Sequence, residues 1–504
     1  MFDVRQPDTS VRLTDAAPDI ARPSHQDNRV AAWHDICLFA TSMFTTAAPS
    51  TTTYARRQPE TTVLYEVVRD HFASLLDEAR DRSEYGFGYP RFVEREFEKF
   101  LACGLLCHGF VRVRCGDCGD ERLVAFSCKT RGFCPSCTSR RMTGTAAHLV
   151  ERVLPTAPYR QWVLSLPRQV RFLLARDRVL FGRVISAFLR KVFAWQRRRA
   201  RVHGIADPHT GAVTFVQRFG SLLNLNCHAH ALVPDGVLAT GPDGAVSFHA
   251  LPAPRDDDVV RLLGQIARAI HRLVERRLAD LADDAPADLL AFEQADAVDH
   301  VPALGNPMGP TRGRRSAFLA GYSLHADRLV DADDRDRLER LCRYGARSPV
   351  ANSRLAYDSR GQVVMSLKRP LRDGRTELTF APVEFLRRLA TLIPPPYAHL
   401  TRFHGVFAPH HRLRAAVVPA SAATTANTRA SDRRVNCWSA LMKRVFAVDV
   451  LVCDTCGGAM RILAVLPKSN VTHAFLDHLG LPTAPPQLRA HAPPRRLDPD
   501  VVSP

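Results

Sequence analysis

The stretch AVTFVQRFGSLLNLNCHAHALVPDG, residues 212–236, decides how the rest of the chain is read. Two apolar runs flank the turn-like SLLNLN, which predicts a β-hairpin centred on Leu222 and Leu223. Side chains alternate along a strand, so His228 and His230 leave the same face and can share one divalent ion. In that hairpin Gln217 lies opposite His228, and its carboxamide oxygen would face the same ion. Three ligands on one sheet face leave coordination positions open for a phosphate oxygen, as metal-assisted phosphoryl transfer requires. His325, on the predicted strand GYSLHA, is the alternative third ligand. A hydrolase of the H-x-H-x-D-H type is excluded, because Leu232 and Val233 stand where Asp and His are needed.

Working outward, QWVLSLP reads as a buried strand, Arg176 to Arg201 as a long basic helix, and VSFHAL as a short strand. DDVVRLLGQIARAIHRLVERRL is helical, and VVMSLK and RTELTF form a hairpin joined by PLRDG. The class is therefore α+β, with residues 151–419 forming an antiparallel sheet flanked by helices. A helix over DRDRLERLCRY stops at Gly345. Leu338, Leu341 and Cys342 mark its buried face, Arg340 and Arg343 lie opposite, and Tyr344 sits at the margin. A metal that polarises a phosphodiester needs an attacking group, and Tyr344 is the candidate nucleophile. Arg340, Arg343, Arg347 and Arg354 are candidates to seat a DNA backbone beside it. Tyr322, Tyr357 and Tyr397 have less cationic surroundings.

Seven of thirteen cysteines fall between Cys103 and Cys137, too crowded for core residues alone. Cys115, Cys118, Cys134 and Cys137 form two C-x-x-C knuckles and are expected to hold one structural Zn²⁺. Cys103, His108, Cys128 and His148 are a possible second zinc set. Cys453 and Cys456 read as a leftover knuckle that could borrow His473 or His478. The deaminase signature, H-x-E followed by P-C-x-x-C, is absent.

Residues 1–58 read as a disordered leader, with Met43 an alternative start, and 59–150 as a helical zinc-ribbon module that binds DNA. After the sheet domain come a linker at 420–436, a short C-terminal Cys-x-x-Cys unit at 437–480 and a disordered tail at 481–504. Lys plus Arg less Asp plus Glu is 69 − 51 = +18, an excess suited to a polyanion through counterion release, although arginine-rich coding also inflates it. No apolar run reaches the roughly 18 residues that span a bilayer, and the opening residues lack a signal-peptide core. A cytoplasmic protein, nucleoid-associated when on DNA, is expected. No G-x-x-x-x-G-K-[ST] loop is present, so strand separation would fall to host replication or helicase machinery.

Together FLACG, HGFVRVRCGDCG, FSCKTRGFCPSC, QRFGSLLNLNCHAHALVPDG, RYGARSPVANSRL and RFHGVFAPHHRLR resemble the bacterial rolling-circle transposases of the insertion sequence ninety-one family. The resemblance runs from about Tyr54 to Leu479. It implies a transposase zinc-binding domain ahead of a histidine-hydrophobe-histidine nuclease. It also implies Mg²⁺ or Mn²⁺ on His228 and His230, and attack by Tyr344 on single-stranded DNA at element ends and target. The product would be a 5′-phosphotyrosine and a free 3′-hydroxyl. The better-known members carry a second tyrosine four residues earlier, where this chain has Arg340, so the likeness is to the single-tyrosine branch. A plasmid replication initiator or relaxase with the same chemistry, and a non-catalytic zinc-ribbon regulator, are the alternatives.

Overall fold

The computed structural model describes residues 57–83, 86–284, 313–371, 373–419 and 451–489. Leader residues 1–56, the linker at 420–436, the first part of the C-terminal unit and tail residues 490–504 lie outside the described residues.

The chain enters through α1 (Val63–Asp81) and α2 (Arg91–Leu101), passes through β1 (Gly109–Cys115) and β2 (Glu121–Ala125), and continues into α3 (Pro135–Arg152). Thr62 caps α1 by accepting from the Tyr65 backbone N–H. Leu64, Val67, Val68, Phe72 and Leu75 recur at helical spacing and bury against Phe97, Phe100 and Phe133. Each such side chain, once fully buried, contributes about 1.5–3 kcal/mol.

The second unit begins with β3 (Tyr159–Ser165), α4 (Arg168–Arg176) and α5 (Arg178–Val202), followed by β4 (Gly211–Phe219), β5 (Leu225–Pro234), β6 (Gly236–Thr240) and β7 (Val246–Ala250). The expected single basic helix starts two residues late and has a separate helix before it. Asp177 between them is extended and caps α5, accepting from the Val179 and Leu180 N–H groups at 2.9 and 2.8 Å. Then come α6 (Asp256–Asp284), β8 (Ser316–Leu319), β9 (Tyr322–His325), β10 (Leu329–Val330) and α7 (Arg335–Gly345). A small sheet of β11 (Leu355–Tyr357), β12 (Val363–Ser366) and β13 (Glu377–Phe380) precedes α8 (Pro382–Leu392), β14 (Thr401–Gly405) and α9 (Arg414–Val417).

The central sheet runs β14-β4-β5-β3-β9-β8, with β10 also pairing β3, and every pairing is antiparallel. The hairpin forms in the expected register, Gln217 opposite His228, closed by Gly220 N–H to Asn224 O at 2.9 Å. One face carries Trp162, Leu164, Ala229 and Ala231 and is covered by α5 and α6 through Phe188, Val192, Leu263 and Ile266. The other carries Val213, Phe215 and Leu232, covered by Leu149 and Val150 of α3 and by Leu338 and Leu341 of α7. The histidines lie on this second face, so α7 is the element laid over them.

The C-terminal segment adds β15 (Met460–Pro467) and α10 (Asn470–His478). β15 pairs with β1 from Gly109↔Pro467 to Cys115↔Met460, giving a sheet ordered β15-β1-β2. The expected separate unit at 437–480 is thus, over its described part, an edge of the N-terminal module. Its backbone groups are satisfied by β1, which a stand-alone knuckle would not provide.

Arg160 anchors the sheet, its side chain only 3% exposed, with bidentate bonds to Asp235 at 2.6 and 2.7 Å and a third to Ala326 O. Asp235→Ala strands this guanidinium, and urea unfolding should register a loss of about 3–5 kcal/mol. A loss below about 1 kcal/mol would mean that water reaches the pair.

Candidate active site

Strand β5 presents His228 and His230 with ring centroids 4.9 Å apart, both nearly buried. His228 Nδ1 lies 2.7 Å from Asn226 O. A carbonyl only accepts, so the proton sits on Nδ1 and the Nε2 lone pair is available to a metal. His230 Nδ1 lies 3.2 Å from the Gln161 carboxamide, and His230 Nε2 is buried without a partner. A metal on that Nε2 requires a proton on Nδ1, which Gln161 accommodates by turning its oxygen toward the ring. Gln217 donates from Nε2 to Tyr344 O at 2.7 Å and Gly345 O at 3.0 Å. Both partners are acceptors, which fixes the amide orientation and leaves Gln217 Oε1 buried and unpartnered.

Asp334 starts α7 by accepting from the Arg337 N–H at 2.9 Å, and the helix ends where Gly345 meets the sheet. A Cβ on Gly345 would stand 2.6 Å from the Phe215 ring, so only glycine permits this approach. The result brings Tyr344 edge-on to His230, ring centroids 5.7 Å apart at 86°. Tyr344 is 40% exposed, open to a ligand on one side. The Arg347 guanidinium lies over the Tyr344 ring at 4.5 Å and the Phe219 ring at 5.0 Å. A cleft of about 70 Å³ beside the helix end is lined by Arg347 together with Arg131 and Arg141 of the N-terminal module.

Burial pushes His228 down to about 4, and burial with the neighbouring His228 pushes His230 down to about 3. Both imidazoles are therefore neutral near pH 7, the form that ligates.

The other candidates fall elsewhere. His325 bonds Ser316 Oγ at 2.8 Å and lies two strands from His230, so it is not gathered with the pair. Tyr322 is in the core, and Tyr397 is cation-stacked under Arg178. Tyr357 is on β11, outside the central sheet. Arg343 is engaged by Glu339 at 2.6 Å and Arg354 by Ser366 O at 2.6 Å, while Arg340 is exposed. Gln161, Asn226, Arg131 and Arg141 escaped sequence reading. Gln161 alone had a visible signal, since it sits on the predicted strand before the hairpin.

The cysteines assemble differently from expectation. Cys115 and Cys118 do not join Cys134 and Cys137. Instead the sulfurs of Cys103, Cys128, Cys134 and Cys137 lie within 4.8 Å of one another, and those of Cys115, Cys118, Cys453 and Cys456 form a second such group. The reason is local. Cys134 is the N-cap of α3 and Cys137 lies in its first turn, facing the end of α2 where Cys103 sits, whereas Cys115 and Cys118 lie at the far tip of the β1–β2 hairpin. In the first group Cys103 is 3.7 Å from both Cys134 and Cys137, and Cys128 is 3.3 Å from Cys137. Thiolates bound at about 2.3 Å to one tetrahedral zinc stand about 3.8 Å apart. The hydrogen bond from Cys128, with Cys134, draws the Cys103 thiol down to about 7. His108 and His148 belong to neither group, nor do His473 and His478.

Two families match this chain. The family described as "Putative transposase" matches residues 211–415, which span the β4–β5 hairpin and α7, and "Transposase zinc-binding domain" matches residues 70–166, which hold the first cysteine group. No curated protein and no solved structure matches. No helix among the described residues is long and apolar enough to cross a membrane.

The depressed histidines set a pH dependence for the metal-free chain. Unfolded imidazoles take up protons near the ordinary value of 6.5, whereas the folded pair waits until about 4 and 3. The unfolded state binds more protons in that window, so the pair's contribution is complete above pH 6.5 and is lost as pH falls through about 4. Changing His228 and His230 to Gln should flatten the urea midpoint between pH 6.5 and 4. An unchanged slope would show that the imidazoles are solvated in the fold.

Proposed function

Because this chain belongs to the insertion sequence ninety-one transposases, DNA-binding enzymes of strand transfer with an N-terminal zinc-binding domain, we propose that it works by tyrosine transesterification on single-stranded DNA. One observation carries the reading: the Tyr344 ring packs edge-on to His230, and two buried polar atoms of the residues it adjoins, His230 Nε2 and Gln217 Oε1, have no partner. Orphaned buried acceptors carry a penalty of about 1–3 kcal/mol each, which a ligand at this point relieves.

His228, His230 and Gln217 would offer two neutral nitrogens and one carbonyl-type oxygen to a divalent cation, Mg²⁺ or Mn²⁺; the oxygen suits either, and the nitrogens favour the softer Mn²⁺. Bound there, the ion would supply Lewis-acid polarisation of a phosphate oxygen. The chain's own residues do the remainder. Arg347, held by two aromatic faces, presents positive charge where a phosphodiester must lie. Exposed Arg340 and the cleft-lining Arg131 and Arg141 extend that charge along a strand. The Tyr344 phenolic oxygen attacks phosphorus, forming the O–P bond as the P–O3′ bond breaks. The phenolic proton leaves to solvent and the departing 3′-oxygen takes one up. Rejoining reverses these steps, the 3′-hydroxyl displacing the tyrosine oxygen. With Arg340 one helical turn before it, Tyr344 acts without a second tyrosine on α7, so the same bond energy is conserved and returned at one residue.

Cys103, Cys128, Cys134 and Cys137 hold structural zinc in this reading. That site fixes the start of α3, and α3 packs on α7. Rolling-circle movement, with host enzymes opening the duplex, is the setting that a single-strand chemistry without an ATP-binding loop fits.

Incubation with labelled single-stranded element ends should give an adduct that survives a denaturing gel. Tyr344→Phe is expected to abolish the adduct and keep binding within a few-fold, and adducts at the normal level from that variant would remove Tyr344 from the role. Changing His228 and His230 to Ala should lower metal-dependent cleavage by about 10²–10⁴-fold. Gly345→Ala, which forces α7 off Phe215, should lower cleavage by about 10²-fold with DNA binding retained, and unchanged cleavage would show the approach to be unnecessary.

A further inference from the structure

The second cysteine group joins parts of the chain that are far apart in sequence: Cys115 and Cys118 lie within the zinc-binding-domain match, whereas Cys453 and Cys456 lie outside both family matches. Cys115 Sγ lies 3.5 Å from Cys456 Sγ, and Cys118 Sγ lies 3.6 Å from Cys453 Sγ, 335 residues away. Those separations are far beyond a disulfide at about 2.05 Å and close to the edge, about 3.8 Å, of a zinc–thiolate tetrahedron.

The two halves have the same local shape. Cys115-Gly-Asp-Cys118 is followed by Gly119 at φ +78°, and Cys453-Asp-Thr-Cys456 by Gly457 at φ +75°. In each, the residue after the second cysteine takes the left-handed backbone that glycine alone adopts without strain. Such a turn exposes N–H groups toward the first sulfur of the knuckle. Cys134-Pro-Ser-Cys137 lacks that glycine and is helical.

The knuckles also meet tightly. Gly116 N–H donates to Ala459 O at 3.1 Å, and a Cβ on Gly458 would collide with Asp117 and stand 3.1 Å from Cys115 Sγ. Behind them β15 pairs with β1, and Phe475 packs on Phe110 at 5.6 Å while Arg112 covers it at 5.1 Å.

We propose that Cys115, Cys118, Cys453 and Cys456 bind a second structural zinc, a clasp that fastens the C-terminal segment to the N-terminal module. The two ends of the catalytic unit are thereby closed on each other, a zinc ribbon whose halves are separated by the whole nuclease. Cys118 and Cys456 are exposed whereas the first group is mostly buried, so the clasp is the site that a chelator empties first. The proposal is independent of the tyrosine chemistry, and its test reads metal and association, not cleavage.

The experiment uses the full chain purified without chelator. Metal analysis should find two zinc ions per chain, and the double variant C453S/C456S one. Co²⁺ replacing zinc should give sulfur-to-metal charge-transfer absorption that this variant halves, with the far-ultraviolet circular dichroism unchanged. Should the double variant misfold, Cys118→Ser, a single change at an exposed ligand, serves instead and must lower zinc retention against a chelator by about tenfold or more. In a second arm a specific protease site is inserted between positions 420 and 450. After cleavage the C-terminal fragment should stay with the remainder on gel filtration, and mild chelation should speed its release about tenfold or more. Two zinc ions retained by C453S/C456S, one zinc in the unaltered chain with no change in the variant, or a disulfide found by mass spectrometry between these cysteines would each overturn the clasp.

Discussion

Gln217 ties the end of α7 to the sheet, its Nε2 donating to the carbonyl oxygens of Tyr344 and Gly345 at 2.7 and 3.0 Å. Those carbonyls stand at a helix terminus, where no intrahelical donor remains, so the amide satisfies groups that burial would otherwise strand. The same bond orientation leaves Oε1 buried without a partner. One side chain therefore fastens the backbone of the tyrosine to the sheet and also carries a free acceptor. Gly345 and Phe215 make the contact possible, and Arg347 between two rings holds the next residues of the chain close by.

The zinc module is continuous with this arrangement. α3 starts at the first cysteine group and ends against α7, with Leu149 and Val150 in one apolar cluster with Leu338 and Leu341. Arg335 at the start of α7 donates to the Pro155 and Leu154 carbonyls just beyond α3, at 3.2 and 2.9 Å. Loss of order at the metal would thus reach the tyrosine through two packed helices, with no need for direct contact.

The hairpin and its register were legible because a period of two leaves no freedom: with each face packed against different helices, a slip by one residue would turn Ala229 toward α7 and the histidines toward α5 and α6. The margin position of Tyr344 was legible for the same kind of reason, from the 3.6-residue period of Leu338, Leu341 and Cys342. Spacing failed for the cysteines. Two C-x-x-C pairs fifteen residues apart look like one site, yet the intervening chain turns from a hairpin tip to a helix start and sends them to opposite ends of the module. The glycine after Cys118 and Cys456, absent after Cys137, was the distinguishing mark. Arg131 and Arg141 were hidden because nothing local identifies which loop or helix of the N-terminal module will lie beside the end of α7.

The pairing of β1 with β15 has a temporal side. A ribosome that has released Cys115 must still add more than three hundred residues before Met460, its strand partner, emerges. At roughly 5–20 residues per second that interval is on the order of 15–70 s, long compared with the microseconds in which a hairpin forms. During it β1 has β2 on one edge and nothing of its own chain on the other, so an open strand edge persists through synthesis of the entire catalytic sheet. A message truncated anywhere before codon 460 yields a chain whose first module never acquires its third strand.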